Sequence, residues 1–208
     1  MSSRPYKSPR RAEAAAQTRD RIVAAATAVL GSPGAAGAFS LEATAKAAGV
    51  TRLTVYNQFG SRRALLEAVF DDRARRAGLH RLGEAMADPD PHAGLRRLVA
   101  VFCHFWDFER GVTERVHAES LGDAEFVEAL KARNERRRQA LAVLVARMTK
   151  DRTPPDGATK DLVDVLFALT SYGFFASLST PERPAEATAT LIAALAGAAV
   201  AQALPGLG

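Results

Sequence analysis

A helix, a glycine turn and a second helix encoded in residues 40–66 constrain the fold of this chain more than any other feature. Ser40 can cap a helix, good helix formers fill Leu41 to Ala48, and Gly49 then supplies the positive φ that commonly follows a helix end. A second short helix is predicted over residues 51–58, and a serine just beyond it can cap a third. The pattern is typical of a helix-turn-helix.

The second of these helices has two chemically different faces. Val55 and Phe59 are four residues apart and share the side that faces the domain core. The opposite side combines a guanidinium, an aliphatic group, a phenol and an amide, from Arg52, Leu53, Tyr56 and Asn57. Base edges and phosphates are contacted through such groups, so the pattern favours insertion into a DNA major groove. A hairpin whose aromatic residue only fills a core is the alternative that the pattern itself leaves open.

Further sequence motifs accompany the helix-turn-helix pattern over residues 17–70. They comprise an alanine-rich first helix over residues 18–30 and the strings Phe39-Ser40, Ala47-Ala48-Gly49-Val50-Thr51, Thr54-Val55-Tyr56, Phe59 and Arg62 through Leu66. In these motifs the chain resembles the tetracycline-repressor-like (TetR) family of bacterial transcriptional regulators. The resemblance implies an all-α fold, in which an N-terminal three-helix DNA-binding domain precedes a helical ligand-binding and dimerisation domain.

The predicted contacts to double-stranded DNA come from the helix-turn-helix and the start of the next helix. They are Ser40, Thr51, Arg52, Leu53, Thr54, Tyr56, Asn57, Gln58 and Arg62. Thr44 stands where the family usually has an isoleucine, Gln58 where histidine or tyrosine is frequent, and Arg62 where lysine is usual. Leu53 replaces a residue that is commonly small. It must fill a groove pocket, for instance against a thymine methyl, or alter the docking, so the operator cannot be inferred from relatives.

The charge distribution separates an N-terminal part from the rest. Residues 1–76 hold 13 Lys and Arg against 6 Asp and Glu, whereas the remainder holds 15 against 17. A basic first third is the footprint of a domain that faces a polyanion. We therefore expect a disordered basic arm at 1–11, a helix-turn-helix domain at 12–60, a connecting helix at 61–81 and a ligand-binding and dimerisation domain at 82–208. The arm would follow phosphates or the minor groove, or stay a solvated tail.

Only helices are predicted in the C-terminal two-thirds. An amphipathic helix ending near Glu109 is followed by helices over Val112–Ser120 and Asp123–Met148, in which the run Arg136–Arg138 is expected to be a solvated face. The last two helices, Lys160–Ser179 and Pro184–Leu204, are apolar on more than one face and need cover on more than one face. They predict half of an intersubunit four-helix bundle and hence a homodimer; burial of both inside one monomer is the alternative.

The sequence contains no catalytic constellation, so we expect no enzyme and no cofactor. Cys103 and His104 are adjacent on a helix and point about 100° apart, and the histidine spacings do not indicate a metal. Large and part-polar side chains on helices that surround the family's central cavity are the candidate ligand contacts: Phe102, Phe105, Trp106, His117, Tyr172 and Phe175, with Phe108 and Phe174 beside them. For any single one of them, core packing is the commoner role of such a side chain.

These observations predict a homodimeric regulator, a repressor in its simplest form, which a mainly apolar small molecule releases from a near-palindromic operator. Control by a protein partner is one alternative, and a helical ligand-binding or enzymatic protein with a structural N-terminal hairpin is another. With one cysteine and no apolar segment near the N-terminus, the expected location is the cytoplasm. We expect no membrane association, since the apolar stretch Leu191–Ala201 is short.

Overall fold

The computed structural model of the chain describes residues 9–32, 39–120, 124–150 and 154–205, and these residues form an all-α fold. Apart from a 3₁₀ turn at Leu79–Arg81, the elements are α1 (Pro9–Gly31), α2 (Leu41–Ala48), α3 (Arg52–Phe59), α4 (Arg62–Arg76), α5 (Leu82–Ala87), α6 (Pro91–Asp107), α7 (Arg110–Ser120), α8 (Ala124–Met148), α9 (Ala158–Leu169), α10 (Tyr172–Leu178) and α11 (Ala185–Ala203). The all-α expectation is confirmed.

The helices divide into two compact units. The first contains the described residues up to Arg73 together with residues 114–129, and the second contains residues 74–113 together with the described residues from 130 onward. In the first unit α1 packs on α2, and α2 packs on α3. Ile22, Ala26 and Leu30 lie four residues apart on α1 and are buried, which is the apolar stripe that a core-facing helix requires.

Side-chain caps set the limits of the short helices in the first unit. The hydroxyl of Ser40 accepts a hydrogen bond from the backbone N–H of Ala43 at 3.0 Å, and Ser61 caps α4 in the same way. Gly49 ends α2 with φ 64°, in the left-handed region that a side chain disfavours. The predicted caps and the predicted glycine turn are therefore confirmed.

Two helix limits differ from those expected in this part of the chain. The helix expected to run from Ser61 to about Arg81 ends at Arg76, because Gly78 takes φ 74° and turns the chain into the 3₁₀ segment. At the other end, α1 begins at Pro9, so that residues 9–11 of the expected basic arm are helical. Residues 1–8 of that arm lie outside the described residues.

The core of the second unit is built from faces of α6, α8, α9 and α11. Asp90 caps α6, and its carboxylate accepts a hydrogen bond from the N–H of His92 at 2.8 Å. Pro91 is the first residue of the helix, where its missing N–H costs nothing. Gly94 allows α5 and α6 to approach closely, because a Cβ at this position would lie 2.6 Å from the carbonyl oxygen of Ala85.

The helix expected over Lys160–Ser179 is broken in two. α9 ends at Leu169 and α10 begins at Tyr172, and the two axes are bent by 54°. The hydroxyl of Thr170 donates back to the carbonyl of Leu166 at 2.8 Å, and the hydroxyl of Ser171 caps α10 by accepting from Phe174. A Thr-Ser pair can thus end one helix and start another without glycine or proline.

α11 is longer than the apolar stretch singled out in the sequence. Its 19 residues are long and apolar enough to cross a membrane by length and composition, and the bent pair α9 and α10 passes the same test together. One or two such helices are weak evidence for a span, since core helices of soluble proteins pass it too. Four residues at intervals of four, Thr188, Ile192, Ala196 and Val200, form its buried face.

Candidate functional site

The second helix of the helix-turn-helix, α3, exposes one face and buries the other. Val55 and Phe59 are buried, whereas Leu53 is 65% exposed and Tyr56 is 54% exposed. Arg52 and Asn57 are exposed as well. We call the exposed set Arg52, Leu53, Tyr56 and Asn57 the recognition stripe. The two-faced helix expected from the sequence is confirmed, and contact of the stripe with DNA stays a prediction.

Thr51 and Thr54 form a small hydroxyl pair at the start of α3. The hydroxyl of Thr51 accepts from the backbone N–H of Thr54 at 3.1 Å, and the two hydroxyl oxygens lie 2.9 Å apart. The first turn of α3 and that of α2, where Ser40 is half-buried, carry N–H groups without intrahelical acceptors. Both helix N-termini therefore offer hydrogen bonds and a favourable dipole to a phosphate.

The end of α3 is held by a residue that the sequence analysis did not identify. Nη1 of Arg19 on α1 donates to the carbonyl of Gln58 at 3.0 Å, and its guanidinium lies 4.3 Å from the ring centroid of Phe59. Gln58 itself is half-buried. An arginine on the polar side of α1 was the only sequence signal, because its partner depends on how α1 and α3 cross.

Arg62, predicted to contact DNA, already has protein partners. Its Nε donates to the carbonyl of Phe39 at 2.9 Å, and its Nη1 lies 3.3 Å from a carboxylate oxygen of Glu125. The guanidinium also lies over the ring of Phe39. Arg62 therefore ties the start of α4 to the residue before the cap of α2, so a contact with phosphate would come in addition to a positioning role.

Most of the aromatic residues proposed as ligand contacts lie together in the second unit. The ring centroid of Trp106 is 6.0 Å from that of Phe102, 4.9 Å from that of Phe105 and 5.8 Å from that of Tyr172. Phe102 and Trp106 are buried, and Phe105 and Tyr172 are half-buried. With Phe167 of α9, we call these side chains the aromatic cluster.

The remaining candidates are placed differently. Phe175 is 1% exposed, and the guanidinium of Arg110 lies 5.5 Å from its ring centroid. Phe108 lies under the guanidinium of Arg76, and Phe174 is half-buried against the core. His117 is on the part of α7 that belongs to the first unit. The structure therefore brings together four of the six proposed ligand contacts, Trp106 and the three rings around it, and His117 is not one of them.

The expectation that the run Arg136–Arg138 is a solvated face is wrong for Arg137. Arg136 is exposed and Arg138 pairs with Asp164, but Arg137 is only 5% exposed. Its Nη1 donates to the carbonyl of Thr170 at 2.9 Å, where the break between α9 and α10 leaves an acceptor free. Burial, and then the charge of Arg138, lower the pKa of Arg137 to about 10.

The guanidinium of Arg137 lies among the rings of the aromatic cluster. It is 4.3 Å from the ring centroid of Phe167, 5.6 Å from that of Phe102 and 5.8 Å from that of Trp106. The indole N–H of Trp106 donates to the same Thr170 carbonyl at 3.1 Å. The sequence could not predict this, because the rings that cover the arginine come from two other helices.

The described residues include no candidate metal site, and their one cysteine is buried. No group of three His, Cys, Asp or Glu side chains within the described ranges could hold a metal ion. Cys103 is buried, and burial raises the pKa of its thiol to about 12, so the thiol stays protonated. It is a small core residue rather than a nucleophile.

Comparison with known proteins agrees with this geometry. Residues 22–69 match the family model described as bacterial regulatory proteins, tetR family. No curated protein matches the chain significantly. A putative TetR-family transcriptional regulator from Mesorhizobium loti has a similar structure, with a TM-score of 0.66 and 18% identity over 90% of this chain and 97% of that chain.

Two further solved structures share the fold. A transcriptional regulator from Rhodococcus sp. Rha1 superposes with a TM-score of 0.66 at 17% identity, covering 89% of this chain and 97% of that chain. A putative transcriptional regulator from Saccharomonospora viridis, solved in complex with choline, gives 0.63 at 19% identity, covering 85% and 94%. At these identities the likeness concerns the fold alone.

Proposed function

We propose that this chain, whose residues 22–69 match the tetR family of bacterial regulatory proteins, is a DNA-binding transcriptional regulator that acts as a homodimeric repressor and is released from its operator by a small molecule. The observation that carries the DNA-binding part is the exposure of the recognition stripe on a helix anchored by Val55 and Phe59. Leu53 is apolar and 65% exposed, and such a side chain suits a groove surface such as a thymine methyl.

The outer faces of α9 and α11 are the proposed dimer interface. Val165 is 44% exposed and Leu195 is 40% exposed, and small residues such as Gly197 and Ala198 are exposed beside Leu195. Small residues permit close approach of helices, and an apolar face of this kind is covered in a four-helix bundle formed by two subunits. A two-fold dimer would place its two recognition helices in successive major grooves of a near-palindrome.

An effector is proposed from the aromatic cluster, which combines large rings with a few polar groups, as ligand sites do. The similar structure from Saccharomonospora viridis holds choline, which supports a small-molecule effector for this fold. Choline itself is a poor candidate here. The ring faces that would attract a quaternary ammonium already face the guanidinium of Arg137, and a second cation would be repelled.

Transmission from the cluster is proposed to run through the end of α6. Arg76, the last residue of α4, forms an ion pair with Glu109 at 2.6 Å and lies over the ring of Phe108. Glu109 follows α6, which carries Trp106, and has a φ of 49° that is unusual outside glycine. A ligand that displaces α6 would pull on α4, and α4 begins directly after the recognition helix.

The energy required is moderate. Moving the regulator from almost fully DNA-competent to almost fully incompetent takes about 5.5 kcal/mol of differential ligand affinity. Two equivalent sites per dimer would each supply about half of this.

The test selects genomic fragments that bind the full-length protein and then screens small molecules for release. We expect a near-palindromic site and an affinity that falls steeply with salt, because phosphate contacts release counterions. Binding that is absent at low salt would contradict the DNA-binding function. Specific binding that no small molecule reverses would instead favour control by a protein partner.

A further inference from the structure

We propose that Arg137 is the anchor for a ligand carboxylate, so that the effector is a small organic acid with an apolar body. This inference rests on the proposed function, since it names the chemical class that the aromatic cluster accepts. The supporting observation is that the buried guanidinium of Arg137 uses only some of its N–H groups in hydrogen bonds to the protein.

The first observation is that Arg137 is a buried cation without an anion. At 5% exposure it is more buried than arginines normally are, and none of the described carboxylates forms an ion pair with it. The nearby carboxylate of Asp164 pairs with Arg138 instead. Burying a charge without a counter-charge is costly, and ring faces offset only part of that cost.

The second observation concerns which N–H groups of Arg137 are in use. Nη1 donates to the carbonyl of Thr170, whereas Nε is buried and has no acceptor. Nη2 makes no hydrogen bond to the described residues either. The edge formed by Nε and Nη2 is one of the two edges with which a guanidinium binds a carboxylate through two parallel hydrogen bonds. The protein thus engages the guanidinium at Nη1 and leaves the edge of Nε and Nη2 without an acceptor, which is what we call the open edge.

The third observation is the composition of the surroundings. The rings of Phe102, Trp106 and Phe167 face the guanidinium, and Tyr172 packs edge-on against Trp106. Such walls suit an aromatic or aliphatic body and exclude a strongly hydrated polyanion such as phosphate. A monocarboxylate with an apolar body matches both the open edge and the walls.

Binding of the acid would also act on the fold. The Thr170 carbonyl, which accepts from both Arg137 and Trp106, lies at the break between α9 and α10. A carboxylate that draws the guanidinium away would weaken one of these two hydrogen bonds. The bend between α9 and α10 is therefore a second element, beside α6, that the ligand would shift.

The experiment uses the single tryptophan of the chain, Trp106, as an intrinsic probe in the full-length protein. Three compounds with the same apolar body are titrated: 2-naphthoate, its neutral primary amide and a trimethylammonium derivative of naphthalene. Fluorescence of Trp106 and calorimetry report binding without DNA. We expect 2-naphthoate to bind at least tenfold more tightly than the amide, and the cation to bind more weakly than both.

The variants assign this preference to one residue. Arg137→Met should abolish the preference for the acid over the amide, and Arg137→Lys should retain part of it, because an ammonium keeps the charge but not the two-pronged geometry. Arg136→Met is the matched control: it removes the same charge from an exposed position of the same helix and should leave the preference unchanged.

Three results would each overturn the inference. The wild type could bind acid and amide equally, all three compounds could fail to bind, or the preference for the acid could survive in Arg137→Met. None of these results affects operator binding, which is measured separately and decides the proposed function. If Arg137→Met does not fold, Arg137→Lys alone decides, because a fully retained preference would show that only charge, not the open edge, matters.

Discussion

The guanidinium of Arg19 holds the last turn of the recognition helix, with a hydrogen bond of 3.0 Å to the carbonyl of Gln58 and the ring of Phe59 4.3 Å away. A helix of eight residues is too short to be stable alone, so its orientation depends on such contacts. α1 therefore helps to orient the helix that is proposed to contact DNA, even though the recognition stripe lies on α3.

Replacement of Arg19 by alanine should destabilise the protein and loosen α3. We expect a loss of about 1 kcal/mol in the free energy of unfolding, and a several-fold weaker affinity for operator and random DNA alike. Arg21→Ala is the control, because it removes the same charge from an exposed position of the same helix. Equal effects of the two variants in thermal melts and DNA titrations would refute the positioning role.

Thr44 offers a stabilising substitution. It is fully buried and its hydroxyl has no hydrogen-bond partner. Thr44→Val should raise the free energy of unfolding by about 1 kcal/mol, because the uncompensated hydroxyl is removed. Thr27→Val should lower it by a similar amount, since the buried hydroxyl of Thr27 donates to the carbonyl of Val23 at 3.0 Å. Denaturant titration of both variants tests the pair, and stabilisation by both or by neither would refute it.

Cys103 should be unreactive in the folded protein. Because burial raises the pKa of its thiol to about 12, the thiolate is a negligible fraction at pH 8, and a disulfide reagent should label it only after unfolding. Above the ordinary thiol pKa of about 8.5, the thiol ionises in the unfolded chain but not in the folded protein. The free energy of unfolding should therefore be independent of this group below that pH and should fall as the pH rises from there towards 12. Labelling of native protein within minutes at pH 8 would contradict the burial.

The outer face of α11 should hold the proposed dimer. Ala198→Arg would place a charge in a close helix contact and is expected to yield monomers at micromolar concentration, with most of the operator affinity lost because one half-site no longer recruits the second. Ala132→Arg introduces the same charge at an exposed alanine of α8 and should stay dimeric. Sedimentation velocity measures both, and a monomeric wild type would contradict the dimer.

Local features of the sequence predicted the helix-turn-helix well. Ser40, Thr51 and Gly49 act within a few residues of their own position, so caps and the turn could be predicted without knowing the neighbouring helices. The same is true of the buried pair Val55 and Phe59, whose spacing alone defines a face.

Features that depend on distant neighbours could not be predicted. Arg137 lies in a run of three arginines, and only the rings of α6 and α9 make its position a buried one. The break between α9 and α10 was missed because apolar spacing continues across Thr170 and Ser171. Gly78 is a local indication that α4 ends, but the sequence analysis continued the helix past it to residue 81.

Contact between Arg52 of the recognition stripe and a base edge is tested by measuring the affinity of Arg52→Ala for a selected operator and for a random duplex. Lys46→Ala, which removes an exposed cation near the end of α2, is the control for charge. We expect Arg52→Ala to cost about 1–3 kcal/mol of binding free energy on the operator, much less on the random duplex, and to relax the preference at one base pair, whereas Lys46→Ala should weaken binding to both duplexes equally. Equal losses on both duplexes for Arg52→Ala would contradict it.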